Sequence, residues 1–220
     1  MGTRRLSKSQ YCKGRQCLRR VWLYNFRRDL AEAPSAFQET IFEQGHEVGR
    51  LAHQLFPGGI LVAEDHTNPD GALARTAQLL RDGAPAIFEA AFLHENILIR
   101  ADIVARNDNG TWDLFEVKST TSVKDEHLHD AAIQRYVLSN AGFPLRSVNL
   151  VHLNREYTRR GPIDVNQLFL KAPLDSEITE ASQEIPAYLK AIRATLARDE
   201  EPKVLIGSIG LVLHSVETLG

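Results

Sequence analysis

Two rhythms of apolar residues divide the chain. Through residues 1–30 and again through 34–56 they recur at helical spacing; Ser7 or Ser9 can cap the first helix, Gly14 is its expected break, and Ala33-Pro34-Ser35 separates it from the second. Pro57-Gly58-Gly59 ends that second helix, residues 60–63 form a short apolar strand, and Asn68-Pro69-Asp70 opens a helix to about Arg81. The period then drops to two. Residues 86–93, 97–106 and 111–119 read as strands, the last two joined by the hairpin signal Asn107-Asp108-Asn109-Gly110. A helix over about 125–141, a strand over 147–153 and a long helix over about 176–198 follow, with Arg159-Arg160-Gly161-Pro162 as a loop. The order predicts an α/β fold: a central mixed sheet of about four to five strands flanked by helices, with extra N-terminal helices, in one domain over 1–220.

In Phe115-Glu116-Val117-Lys118 the strand period puts Glu116 and Lys118 on one face and Val117 on the other. If Asp108-Asn109-Gly110 is a three-residue loop with Gly110 left-handed, Asn107 faces Thr111 and Asp102 falls opposite Glu116. A two-residue Asn109-Gly110 turn shifts the register by one and turns Asp102 away. Two facing carboxylates repel unless a cation lies between them, and both acids interrupt apolar strands, where charge is costly without partners. The blander reading is an ordinary Glu116–Lys118 pair on a solvated strand face, with Asp102 as neighbour. Two acids and a lysine suit phosphodiester hydrolysis, in which carboxylate-held Mg²⁺ or Mn²⁺ supplies a nucleophilic water and stabilises phosphate charge.

The flanking helices add candidates. Gly45, Gly49 and His53 recur at i, i+4 and i+8, a face that would let the helix lie close to the sheet with His53 over the carboxylates; an imidazole ligand tilts the metal toward Mn²⁺. His46 is the weaker candidate, and the rival view makes His53 a packing or surface residue. On the helix after Glu116, Asp130 and Gln134 are four apart with Tyr136 close behind; Gln134 is placed either to bond the DNA backbone or Lys118, or to be an exposed polar position.

Composition, 43% hydrophobic and 25% charged, is that of an ordinary globular domain, and no segment approaches the roughly twenty apolar residues of a membrane helix. The net charge of −2 conceals an asymmetry: Arg4, Arg5, Lys8, Lys13, Arg15, Arg19, Arg20, Arg27 and Arg28 all precede the first acid, Asp29. Tyr11, Trp22, Tyr24 and Phe26 are interleaved with them, a mixture suited to phosphate contacts and base stacking, with Arg19 and Arg20 as candidate nucleic-acid contacts. The same rings can equally be the core face of a solvated helix. Apolar residues scattered among arginines argue against a secretory signal, although an Arg-rich, acid-poor start also suits a transit peptide. With only Cys12 and Cys17, too few for a disulfide framework and half a zinc site, the cytoplasm is the expected compartment.

With these residues in place, the chain resembles the RecB-type branch of the PD-(D/E)XK nucleases, the group that includes CRISPR-associated RecB-like exonucleases. Gly49-Arg50-Leu51-Ala52-His53 resembles that family's Gly-x-x-x-His motif, Asp102 its metal aspartate, Glu116-Val117-Lys118 its acid-x-Lys motif, and Gln134 to Tyr136 its glutamine-tyrosine motif. The resemblance implies a restriction-endonuclease-like core over 86–154, with His53, Asp102, Glu116 and the Val117 carbonyl on Mg²⁺ or Mn²⁺ and Lys118 orienting or activating water. It also implies Glu89 as an accessory acid, Gln134 and Tyr136 on the nucleic acid, and DNA, single-stranded or with free ends, as substrate. Repair, recombination or defence is the implied setting, in a larger complex or alone. Leu6-Ser7-Lys8-Ser9 with Cys17 and Trp22-Leu23, and the segment from Phe42-Glu43-Gln44-Gly45, are similar to bacterial proteins that join such a domain to a larger C-terminal region. Two departures stand out. The tyrosine follows Gln134 by two positions instead of four, and no cysteine follows Cys17, so the four thiolates of an iron–sulfur cluster are missing and no cluster is expected. The tail over 203–220 departs from the family pattern and reads as a truncated or frame-altered member. The alternative to an enzyme is a weak or inactive DNA-binding module, a fragment of a larger nuclease.

Overall fold

The computed structural model describes residues 5–203; Arg4 and the tail from 204 lie outside them. Local chemistry sets most element boundaries. Strand β1 (Leu6–Ser7) runs straight into helix α1 (Lys8–Gln16), whose Ser7 cap exchanges hydrogen bonds with Gln10 in a capping box. Cys17, in an extended conformation, breaks the helix, and α2 (Leu18–Phe26) follows. Gly14 is not the break. A Cβ there would lie 2.4 Å from Ile192 Cγ1, so the glycine allows α1 to approach the C-terminal helix. Ser35 and Gln38 form a second capping box at the start of α3 (Ala36–His53), and Asn68 with Pro69 starts α4 (Pro69–Arg81).

The sheet has seven strands, more than the four to five expected. Besides β3 (Ala86–His94), β4 (Ile97–Arg106), β5 (Trp112–Lys118) and β6 (Leu145–Leu153), it includes the two-residue β1 and β2 (Ile60–Leu61) and β7 (Phe169–Pro173). The expected strand over 60–63 contains β2, whereas β1 and β7, the two additions, carry too few residues for an alternation to register in sequence. The order is β2-β3-β4-β5-β6-β7, with β1 paired parallel to β4. Helix α5 (Asp125–Asn140) makes the crossover between the parallel pair β5 and β6, and a short α6 (Val165–Leu168) precedes β7. The main core, including Ile97, Ile99, Leu114, Ile133, Leu138, Leu150 and Ile185, unites the sheet with α4, α5 and α7 (Ile178–Leu196). A smaller cluster of Ala52, Phe88, Ile103, Phe115, Val151 and Phe169, joined by Val48, Leu51 and Phe56, unites it with the C-terminal half of α3. This mixed α/β sheet flanked by helices is consistent with a restriction-endonuclease-like core. Among the described residues no helix is long and apolar enough to cross a membrane.

Two irregularities position the site. The β4–β5 hairpin pairs Arg106 with Trp112 through Ile103 with Phe115, the register of a three-residue loop, with Gly110 at φ +81° and the Asn107 N–H bonded to the Thr111 carbonyl. Pairing stops at Ile103–Phe115. On the same edge of β4, β1 pairs with Ile97 and Leu98, so a gap around Asp102 lies between β1 and β5. The second irregularity is in β3, where Glu89 takes φ +56° between the paired rungs Phe88–Ile103 and Ala90–Ala101. Phe88 and Ile103 belong to the small cluster and Ala90 and Ala101 to the main one, so the alternation of faces fails at the Glu89–Asp102 rung.

Candidate active site

The gap in the β4 edge is where charge collects. Glu116, 1% exposed, lies one residue past the last β4–β5 rung, and burying a carboxylate so completely requires partners. It has three. Lys8 Nζ donates to Oε1 at 3.1 Å and Oε2 at 3.2 Å, Lys118 Nζ lies 2.9 Å from Oε1, and Gln134 Nε2 donates to Oε2 at 2.5 Å. Lys118 also donates to Asp130 at 2.7 Å, and the Cys12 thiol donates to the other Asp130 oxygen at 3.0 Å. Asp102 faces the gap and accepts the Val117 N–H at 2.7 Å, satisfying a donor that β4 no longer pairs.

The electrostatics follow from this crowding. Burial and then the charge of Glu116 hold the Asp102 carboxyl above the ordinary carboxylate range. Burial would raise Glu116 too, but the charges of Lys8 and Lys118 and the Gln134 hydrogen bond outweigh it and hold that carboxyl low. Burial likewise would depress both lysines, yet Glu116 first, with Asp102 and Asp130 on Lys8 and Asp130 on Lys118, keeps each ammonium above its usual value.

The expected site residues divide. Asp102, Glu116, Val117 and Lys118 come together as described. His53 lines one cavity with Asp102 and Val117, its ring flat on Phe88 with centroids 3.9 Å apart and planes 3° apart, and burial lowers its pKa. Among the described residues no three His, Cys, Asp or Glu side chains converge as a metal-holding group. The reason is the course of α3. A Cβ at Gly45 or Gly49 would meet nothing within 4 Å, so these glycines do not seat the helix on the sheet; they border a cavity of about 420 Å³ that His46, His53, Glu89, Asp102 and Val117 also line. Glu89 shares that cavity and is paired with Arg100 at 3.2 Å. Asp102 and Glu116 are hard oxygen donors of the kind Mg²⁺ and Mn²⁺ accept while keeping several waters.

Gln134 is fully buried and bound to Glu116 and to the Asp130 carbonyl at 3.0 Å, so it is neither exposed nor on a DNA path: it fixes the carboxylate. Tyr136 packs on the main core and meets His94 edge-on at the end of β3. Of the N-terminal rings, Tyr11 and Trp22 are core, whereas Tyr24 lies under both Lys13 and Arg28 at 4.4 Å. Arg19 pairs with Glu201; Arg20, bonded to Gln16, borders a second cavity of about 320 Å³ with Lys8, Lys13, Lys118 and Asp130. Lys8 was missed as a site residue. Its sequence signals are its place directly after a Ser cap in the basic segment and within the Leu6-Ser7-Lys8-Ser9 resemblance, and neither points to Glu116, 108 residues away.

No family model matches the chain, and no curated protein matches it significantly. Among solved structures, an alkaline exonuclease from Laribacter hongkongensis is similar over 89% of this chain and 91% of its own, at 14% identity and a TM-score of 0.46. The protein SSO0001 is similar over 90% and 87%, at 15% identity and a TM-score of 0.40. Likenesses this distant say nothing of chemistry, which rests on the side chains themselves.

Proposed function

We propose that the chain is a metal-dependent nuclease of the PD-(D/E)XK type that hydrolyses DNA phosphodiester bonds, of the RecB-type branch, exonuclease-like and serving repair, recombination or defence. The observation that carries this reading is the buried Glu116 between two ammoniums, with Asp102 beside it on the neighbouring strand. Asp102, Glu116 and the Val117 carbonyl would hold Mg²⁺ or Mn²⁺, which when bound supplies an activated water and charge stabilisation at the phosphate. Lys118, paired with Glu116 and Asp130, would donate hydrogen bonds to the attacking water or the phosphate oxygens. Gln134 and Asp130 position Glu116 and Lys118 respectively. The cations around the 320 Å³ cavity, Lys13 and Arg20 among them, offer a path for the phosphate backbone.

The test is cleavage of end-labelled linear and circular single-stranded DNA with each metal. Cutting of linear DNA alone supports the exonuclease reading, and cutting of circles replaces it with an endonuclease. Lys118→Ala is expected to abolish turnover with a much smaller loss of DNA affinity. If the wild-type protein leaves every substrate intact with both metals, the binding-module reading takes its place.

A further inference from the structure

A carboxylate offers about four lone-pair positions. Glu116 has all of them engaged: Oε1 accepts Lys8 and Lys118, and Oε2 accepts Lys8 and Gln134. Of the three donors, Gln134 is fully buried and tied to its own helix, and Lys118 is shared with Asp130. Lys8 alone takes a position on both oxygens, and its hydrogen bonds are the longest of the set. Its ammonium has no other hydrogen-bond partner among the described residues, and Lys8, the first residue of α1, lines two cavities of about 450 and 320 Å³. Of the three donors it is the one free to leave.

We infer that Lys8 is a resident counter-ion standing where a divalent metal would bind Glu116, so that metal enters by displacing it and the released ammonium turns toward the substrate phosphate. The inference rests on the nuclease reading for the identity of the metal and the substrate. It makes Lys8 a positioning residue, one that holds the carboxylates together until the ion arrives and sets the threshold for metal binding. Charge balance agrees. Taken as formal charges, Lys8 and Lys118 against Asp102, Glu116 and Asp130 leave one negative charge, which a divalent ion turns into one positive charge if Lys8 stays and into neutrality if Lys8 leaves.

Isothermal titration of Mn²⁺ into the full chain tests this, comparing wild type with Lys8→Gln and with Lys13→Gln, which removes a charge lining the same cavity without touching Glu116. Lys8→Gln is expected to tighten Mn²⁺ binding by about tenfold, a difference that persists at high salt, and Lys13→Gln by much less and only at low salt. Equal effects of the two substitutions, or weaker binding in Lys8→Gln, overturn the inference. Because Lys8→Gln leaves a buried carboxylate with one ammonium fewer and can fail to fold, a second measurement uses wild type: acylation of lysines followed by peptide mass spectrometry. Labelling of Lys8 is expected to rise several-fold on adding Mn²⁺ while that of Lys118 stays low; unchanged labelling of Lys8 overturns the inference. Neither arm reads cleavage. A protein that binds Mn²⁺, releases Lys8 and cuts nothing refutes the nuclease reading alone; one that cuts with Lys8 unmoved refutes the displacement alone; one that binds no Mn²⁺ refutes both.

Discussion

Replacing Glu116 by glutamine removes the charge on which both ammoniums depend. At about 3 Å and an effective dielectric near 20, each Lys–Glu attraction is on the order of 5 kcal/mol before desolvation is counted. The net loss is smaller. The Lys8 and Lys118 side chains are 21% and 26% exposed, so each can move its ammonium partly into water once Glu116 is neutral, and Lys118 keeps Asp130 at 2.7 Å. Removing one partner of a buried pair costs about 3–5 kcal/mol, and the lower end fits here: about 3 kcal/mol, or roughly 6–12 °C in Tm for a chain of this size. The assay is urea and thermal unfolding in EDTA of wild type, Glu116→Gln, Lys8→Gln and the double variant. The double variant should be less destabilised than the sum of the singles by about 1–2 kcal/mol, because each substitution removes the other's partner. Glu116→Gln as stable as wild type, or strictly additive singles, would refute the view that Glu116 organises the two lysines.

Asp102→Asn bears on the raised carboxyl. The native protein keeps a proton there that the unfolded chain releases, so this contribution is full below the ordinary aspartate value and lost as pH rises through the raised one. Melting in EDTA from about pH 4 to about pH 9 should therefore show the asparagine variant gaining on wild type toward alkaline pH, and parallel curves would contradict it. His53→Ala should cost about 1 kcal/mol of stability through the lost stack on Phe88 and leave Mn²⁺ affinity unchanged by titration; weakened affinity would return His53 to the metal. Gly45→Ala and Gly49→Ala should each raise the urea midpoint, by about 0.5–1 kcal/mol in stability, since a Cβ meets nothing there; a fall would place α3 closer to the sheet.

How far the sequence carries is visible in these same residues. Asn107 to Gly110 mark the hairpin but leave two registers open, of which the structure takes the three-residue loop, whereas the period of two puts Glu116 and Lys118 on one face because that rule acts within a few residues. Gly14, Gly45 and Gly49 were misread for one reason: a glycine's meaning depends on what lies opposite, here Ile192 for the first and open cavity for the others. The sequence leaves Gln134 between a bond to DNA or Lys118 and an exposed position, and the buried carboxylate it holds explains why it lies in the core. The face change at Glu89 and Asp102 is a backbone event on one rung, and alternation read residue by residue passes over it.

Strand β1 bears on how the molecule breathes. Its two residues anchor Lys8 to the strand that carries Asp102, through pairing at Ile97 and Leu98 and a 2.7 Å bond from the Leu6 N–H to the Asn96 carbonyl. So small an element can open far more cheaply than the sheet it borders. Such an opening would have to uncover Leu6, which is buried in the main core, and would carry Lys8 away from Glu116. The amide of Leu6 should then exchange with solvent deuterium orders of magnitude faster than those of Ile103 or Leu114, and metal-loading kinetics would follow that local opening and not the global unfolding rate.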